Sequence, residues 1–153
     1  ASTKAVMRAS LEDTIIDLIA TGLASLESGQ TKIRESGLKT LIRARCFITE
    51  NCNKPELSRT DGSEAVGVSV RRLNELFAEE NSSIRTEIRE ARLQCISADL
   101  TDPRMTHVAV ADIAFRHGIE NAQHFSRQFK ARFGQTPKSY RSNNGWAIPN
   151  PGL

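Results

Sequence analysis

The chain has 153 residues, enough for one ordinary domain or two very small ones. With 39% hydrophobic and 25% charged residues it can bury a core, which excludes a wholly disordered chain. No apolar run approaches the ~18–20 residues of a membrane helix, and no signal peptide opens the chain. Ala1 in first place is read as a processed or cut start. Three cysteines, Cys46, Cys52 and Cys95, are an odd number and make no disulfide framework, so a reducing compartment is expected.

The net charge is only +3, but its distribution is uneven. From Arg116 to Arg141 stand six basic residues against the single acid Glu120, a surplus of +5 in 26 residues. A basic face on a helical segment is an electrostatic footprint for phosphates; a solvated helix face is the plainer alternative.

In chain order the pattern is helical throughout, with no sustained period-two alternation. Leu11, Ile15, Leu18, Ile19, Gly22, Leu23 and Leu26 recur at helical spacing and predict a first amphipathic helix, broken at Ser28-Gly29-Gln30. A second helix is expected from about Thr31 to Asn51, with Leu38, Leu41, Ile42, Ile48 and Cys52 on its apolar side. Asn53-Lys54-Pro55 ends it, because the residue before proline is pushed out of the helical region. Ser58 caps a short helix that ends at Gly67, and Ser69 caps the next, which carries Leu73, Leu76 and Phe77 and stops at Asn81.

A long helix follows from about Ile84 to Leu100, striped by Ile84, Ile88, Ala91, Cys95 and Ala98 and stopped by Asp102-Pro103. A helix from about Val108 to His117 ends at Gly118. The next, about Asn121 to Phe133, places Phe125, Phe129 and Phe133 four apart and ends at Gly134. Thr136-Pro137 starts a final short helix through Tyr140, followed by a loose Gly-, Pro- and Asn-rich tail.

Two of these segments repeat each other. Ser58–Phe77 and Val108–Phe129 both read as short helix, glycine turn, helix. Aligning Leu73 with Phe125 and Phe77 with Phe129 is a shift of 52, whereas Gly67 and Gly118 are 51 apart, so the second copy has one extra residue after its turn. Each copy is a candidate helix-turn-helix.

The stretch ADIAFRHGIENAQHFSRQFKARFGQTPKSYR, Ala111 to Arg141, closely resembles the C-terminal signature of the AraC/XylS family of bacterial transcription regulators. Its pattern is met by Ile113, Ala114, Gly118, Phe125, Ser126, Arg127, Phe129, Lys130, Phe133, Gly134, Thr136, Pro137, Tyr140 and Arg141. The first copy, Arg92-Leu93 in the long helix and the Asp102-Pro103 stop are also similar to the family, so the resemblance spans about Lys39 to Arg141. There are departures: Gly62 stands where a leucine is usual, Ile119 where a phenylalanine is usual, and Ala109 where a Ser or Thr cap is common, so Thr106 is expected to cap instead.

The expected fold is all-α: two helix-turn-helix subdomains joined by a long linker helix, preceded by one or two extra N-terminal helices. Residues 1–37 form a helical linker segment, 38–141 the DNA-binding domain and 142–153 a flexible tail. Within the domain, the units lie at about 57–80 and 108–133, with the linker helix at about 84–100. Family members normally carry a sensory or dimerisation domain; none fits in this chain, which therefore looks like a fragment.

A recognition helix gives one stripe to the core and another to the major groove. In the second copy the groove stripe is Ala122, Gln123, Ser126, Arg127 and Lys130, with His124 at the margin. In the first copy the repeat register offers Arg71, Asn74 and Glu75. Arg pairs bidentately with guanine, Asn and Gln with adenine, and Glu accepts from cytosine, so the two half-sites should differ. A linker helix of seventeen residues, about 25 Å long, is suited to recognition helices one DNA turn, about 34 Å, apart.

The remaining polar residues read as structural. His117, before the turn glycine, is expected to pack inside. Cys46 and Cys52, six apart on a helix, cannot share a metal, and Cys95 belongs to the linker stripe. No catalytic constellation, metal site or cofactor is expected. The resemblance implies double-stranded DNA and RNA polymerase as partners, a cytoplasmic, nucleoid-associated location and no membrane. The rivals are a helical protein-interaction module whose basic face meets an acidic partner, and a DNA-modifying enzyme with an appended domain of this type.

Overall fold

The computed structural model describes residues 2–24 and 30–145. Among them the chain forms eight α-helices and one 3-10 turn and no strand: α1 Ser2–Ala24, α2 Gln30–Glu50, α3 Arg59–Ala65, α4 Val70–Glu79, α5 Ile84–Thr101, the 3-10 turn Pro103–Met105, α6 Val110–Arg116, α7 Ala122–Phe133 and α8 Pro137–Asn144. No helix among the described residues is long and apolar enough to cross a membrane. The expected break at 28–30 falls largely outside the described residues, as does the tail beyond Gly145. The final helix runs to Asn144, past the predicted end at Tyr140.

The chain divides into two compact units, Ala1–Phe47 with Arg59–Ile84, and Ile48–Ser58 with Arg85–Leu153. In the first unit, α3 and α4 form a helix-turn-helix whose Leu73, Leu76 and Phe77 are buried. Helix α2 approaches α4 closely at Gly37, where a Cβ would lie 3.0 Å from Leu76 Cδ2. The Arg45 guanidinium lies 5.3 Å from the Phe77 ring centre and pairs with Glu80 at 2.6 Å.

Helix α1 corrects the sequence reading. Its predicted stripe of Leu11, Ile15, Leu18 and Ile19 is 46% to 67% exposed, and the buried residues are Ile16 and Ala20. Two ion pairs accompany this orientation, Asp13 with Arg43 at 3.1 Å and Asp17 with Lys39 at 3.2 Å.

The second unit has a core of Leu93, Ile96, Leu100, Val108, Ile113, Ala114, Phe125 and Phe129. Here too the predicted stripe shifts. Beyond Ile88, the linker helix buries Leu93, Ile96 and Leu100 rather than Ala91, Cys95 and Ala98. The larger side chains remove more apolar area from water, so they set the rotation of the helix. Phe129 centres an aromatic group, with ring centres of Phe133 at 4.5 Å, Tyr140 at 5.3 Å and Phe125 at 5.6 Å.

Candidate nucleic-acid interface

The two turns are built alike. Val66, Gly67 and Val68 donate to Ser63, Glu64 and Ser63 carbonyls; His117, Gly118 and Ile119 donate to Ala114, Phe115 and Ala114. Both are six-to-one helix closures, and both need a left-handed residue, supplied by Gly67 at φ 71° and Gly118 at φ 76°. The Ser69 side chain then accepts from Arg72 N–H, and the Asn121 side chain from His124 N–H. The caps are 52 apart and the glycines 51, the one-residue insertion expected from the repeat. Ala109 occupies the N-cap of α6 without a side-chain bond, and Thr106 does not replace it, because its hydroxyl donates to Pro103 O.

On α7, Phe125 and Phe129 face inward, while Gln123, His124, Ser126, Arg127 and Lys130 are exposed. Ala122, Gln123, Ser126 and Arg127 line one shallow open groove. Helix α7 carries Arg127, Lys130 and Arg132 and no acid. Arg132 is engaged elsewhere: its Nε meets Glu90 of α5 at 3.0 Å and its guanidinium lies over Phe133. Arg127 Nε reaches only the Gln123 carbonyl of its own helix, at 3.5 Å.

Helix α4 presents a different surface. Arg71 is exposed, but its Nε lies 3.1 Å from Glu75, which Arg72 also approaches at 3.7 Å. Asn74 is half-buried, and its Oδ1 accepts from Ile84 N–H at 3.1 Å. The first N–H groups of α5 have no intrahelical acceptor, and Asn74 supplies one. Arg72 and Arg132 also stand on these helices at positions the helical register makes legible, but their ion-pair partners come from the fold.

Behind the second turn lies a seat that the sequence did not reveal. Arg92 Nη2 donates to the carbonyls of Pro55 at 2.8 Å, Leu57 at 3.3 Å and Lys54 at 3.4 Å. Burial lowers the Arg92 guanidinium from its ordinary pKa. The strap 54–57 in turn supports Gly118, where a Cβ would lie 2.9 Å from Pro55 Cα. His117 is buried as expected, its Nε2 2.7 Å from Asp99 Oδ2. Arg141 Nη1 donates to Val108 O and fastens α8 to the start of the second helix-turn-helix.

The cysteines depart from the expectation that they make no disulfide framework: Cys52 and Cys95 are joined as a disulfide, and Cys46 stands outside it. The two pair because α2 ends beside the middle of α5, a proximity that sequence spacing does not encode. Among the described residues no group of three or more His, Cys, Asp or Glu is arranged to hold a metal ion.

A family model for a helix-turn-helix domain matches residues 63–143. The chain is 27% identical over 135 residues to the transcriptional activator NphR of Rhodococcus sp, covering 88% of this chain and 39% of that protein. It is 28% identical over 142 residues to the XylDLEGF operon transcriptional activator 3 of Pseudomonas putida, covering 89% and 42%. A solved transcriptional regulator of the AraC-type DNA-binding domain class from Chromobacterium violaceum matches at a TM-score of 0.61 and 27% identity, covering 74% of this chain and 95% of that one. The chain therefore belongs to the AraC-type helix-turn-helix family, a family of DNA-binding transcription regulators. It spans about two fifths of the length of these two curated relatives.

Proposed function

We propose that this chain is the DNA-reading part of a bacterial transcription regulator and binds duplex DNA sequence-specifically. Helices α4 and α7 act as recognition helices, each entering a major-groove segment, so that one chain reads two successive segments. The observation that carries this reading is the exposed row of α7: an acid-free surface of Gln123, Ser126 and Arg127 in one open groove, backed by buried Phe125 and Phe129. Arg127 is the guanine reader, its fork matching O6 and N7; Gln123 suits adenine, and Ser126 and His124 reach either a base or a phosphate. Lys130, a point charge further along, grips a phosphate. Arg71 and Glu75 are the corresponding readers on α4, while Asn74 serves the fold. A sensory or dimerisation domain elsewhere in the full protein and contact with RNA polymerase complete the regulator, in the cytoplasm.

Titration of protein-selected and scrambled duplexes at several salt concentrations tests this. The expected result is a steep fall in affinity with salt and a preference for the selected duplex that survives it. Binding that is flat in salt, or equal for every duplex and a non-nucleic polyanion, favours the protein-interaction module instead.

A further inference from the structure

Cys52 lies between the end of α2 and the strap 54–57 that supports the second turn, and Cys95 sits on α5, one helical turn after Arg92. Cys52 is 3% exposed and Cys95 is partly exposed. The bond joins residues 43 apart in sequence, and all of α3 and α4 lies in the loop it closes. The strap is thus fastened to α5 twice, covalently through Cys52–Cys95 and by the Arg92 guanidinium on its carbonyls. Partial exposure of Cys95 admits a small oxidant.

We infer that Cys95 and Cys52 form a reversible thiol-oxidation site, with hydroperoxide as the oxidant class, that clamps the strap 54–57 beneath the turn of the second helix-turn-helix. The Cys95 thiolate attacks one peroxide oxygen, the O–O bond breaks, and the released hydroxide takes a proton to leave as water. The Cys52 thiolate then attacks Cys95 Sγ of the sulfenic acid; the S–S bond forms, the S–O bond breaks, and a second water leaves. Two thiols and one hydrogen peroxide give one disulfide and two waters. Small cellular thiols reverse the step and are themselves oxidised to their disulfide. In the closed form Pro55 is held against Gly118 by both fastenings; in the open form the covalent one is lost and the Arg92 contacts remain.

The test uses the whole chain, reduced with a dithiol and then titrated with hydrogen peroxide. Mass spectrometry after thiol trapping should show Cys52 and Cys95 linked at about one equivalent of peroxide. The oxidised form should melt higher than the reduced form, by on the order of 10 °C. Its affinity for a duplex selected from a random library should be at least about threefold higher. Cys52→Ser with Cys95→Ser should abolish both differences and match the reduced form, while Cys46→Ser keeps them. Trapping that finds Cys52 and Cys95 still free after peroxide overturns the site, and so does a melting point unchanged between the forms. Trapping and melting do not involve DNA, so their outcome is separate from the DNA-binding proposal. An oxidised form that melts higher but binds the selected duplex no better overturns the link to α7.

Discussion

Gly67 and Gly118 close the same turn with the same hydrogen bonds and nearly the same φ, yet their surroundings differ. A Cβ on Gly67 meets nothing within 4 Å, whereas a Cβ on Gly118 meets the backbone of Pro55 at 2.9 Å and 3.0 Å. The helices that follow differ in the same sense. Helix α4 balances Arg71 and Arg72 against Glu75 and Glu79, while α7 carries three cations and no acid. The backbone repeat thus serves two surfaces. The first is open behind its turn and electrostatically self-satisfied; the second is tightly seated and leaves Arg127 and Lys130 on its exposed row. Rigid seating suits the helix that is proposed to read bases, because a loosely held side chain cannot discriminate donor and acceptor patterns.

The largest expected effect breaks this comparison at the turns. Gly118→Ala should destabilise the second unit by about 3–4 kcal/mol, the left-handed penalty plus the overlap with Pro55 backbone. Gly67→Ala should cost only the conformational part, about 1–2 kcal/mol. Chemical denaturation of both variants measures the gap, and equal losses would mean that the Pro55 contact contributes nothing.

The next prediction concerns the seat itself. Arg92→Ala removes a charged donor from three carbonyls, one of them at 2.8 Å, and should destabilise by about 2–3 kcal/mol. Since Arg92 is on α5, far in sequence from the exposed row of α7, any change in base preference should be small beside the change in melting. A variant with native stability would assign the strap's attachment to the disulfide alone.

Arg127→Ala should weaken binding to the selected duplex by about 1–3 kcal/mol and relax preference at one base pair. Lys130→Ala should weaken all duplexes about equally and make the logarithmic salt slope shallower by about one unit. A competition series across one half-site separates them. If Arg127→Ala scales every affinity by one factor, the residue grips the backbone and reads nothing.

The smallest effect sharpens the contrast from the other side. Glu75 holds Arg71 and approaches Arg72 in exposed pairs, which are worth under about 1 kcal/mol. Glu75→Gln should therefore leave stability within about 0.5 kcal/mol, relax preference at the one base pair Glu75 is proposed to read, and raise affinity for unselected duplexes severalfold at most, by releasing the two cations. Unchanged affinity in low salt would place α4 away from the phosphates.

Local rules made much of this molecule legible in the chain itself. The turn glycines, the Ser69 and Thr136 caps, the left-handed Asn81 and the Phe125–Phe129–Phe133 spacing each depend on residues within a few positions of one another, and each appears where expected. The exposed row of α7 follows from the same periodicity once its aromatic residues are assigned to the core. What only the tertiary structure decided are the choices made between distant segments. Helix α1 buries Ile16 and Ala20 and pairs its Asp13 and Asp17 with Arg43 and Lys39 of α2. Asn74 turns from the expected base-reading row to the first N–H of α5. Arg92 spends its donors on the strap 54–57, Cys52 meets Cys95, and Gly118 touches Pro55. A helical period fixes which residues share a face but not which of two comparable faces is buried. That depends on the volume, charge and unpaired backbone groups of whatever packs against it, and those are set by the fold as a whole.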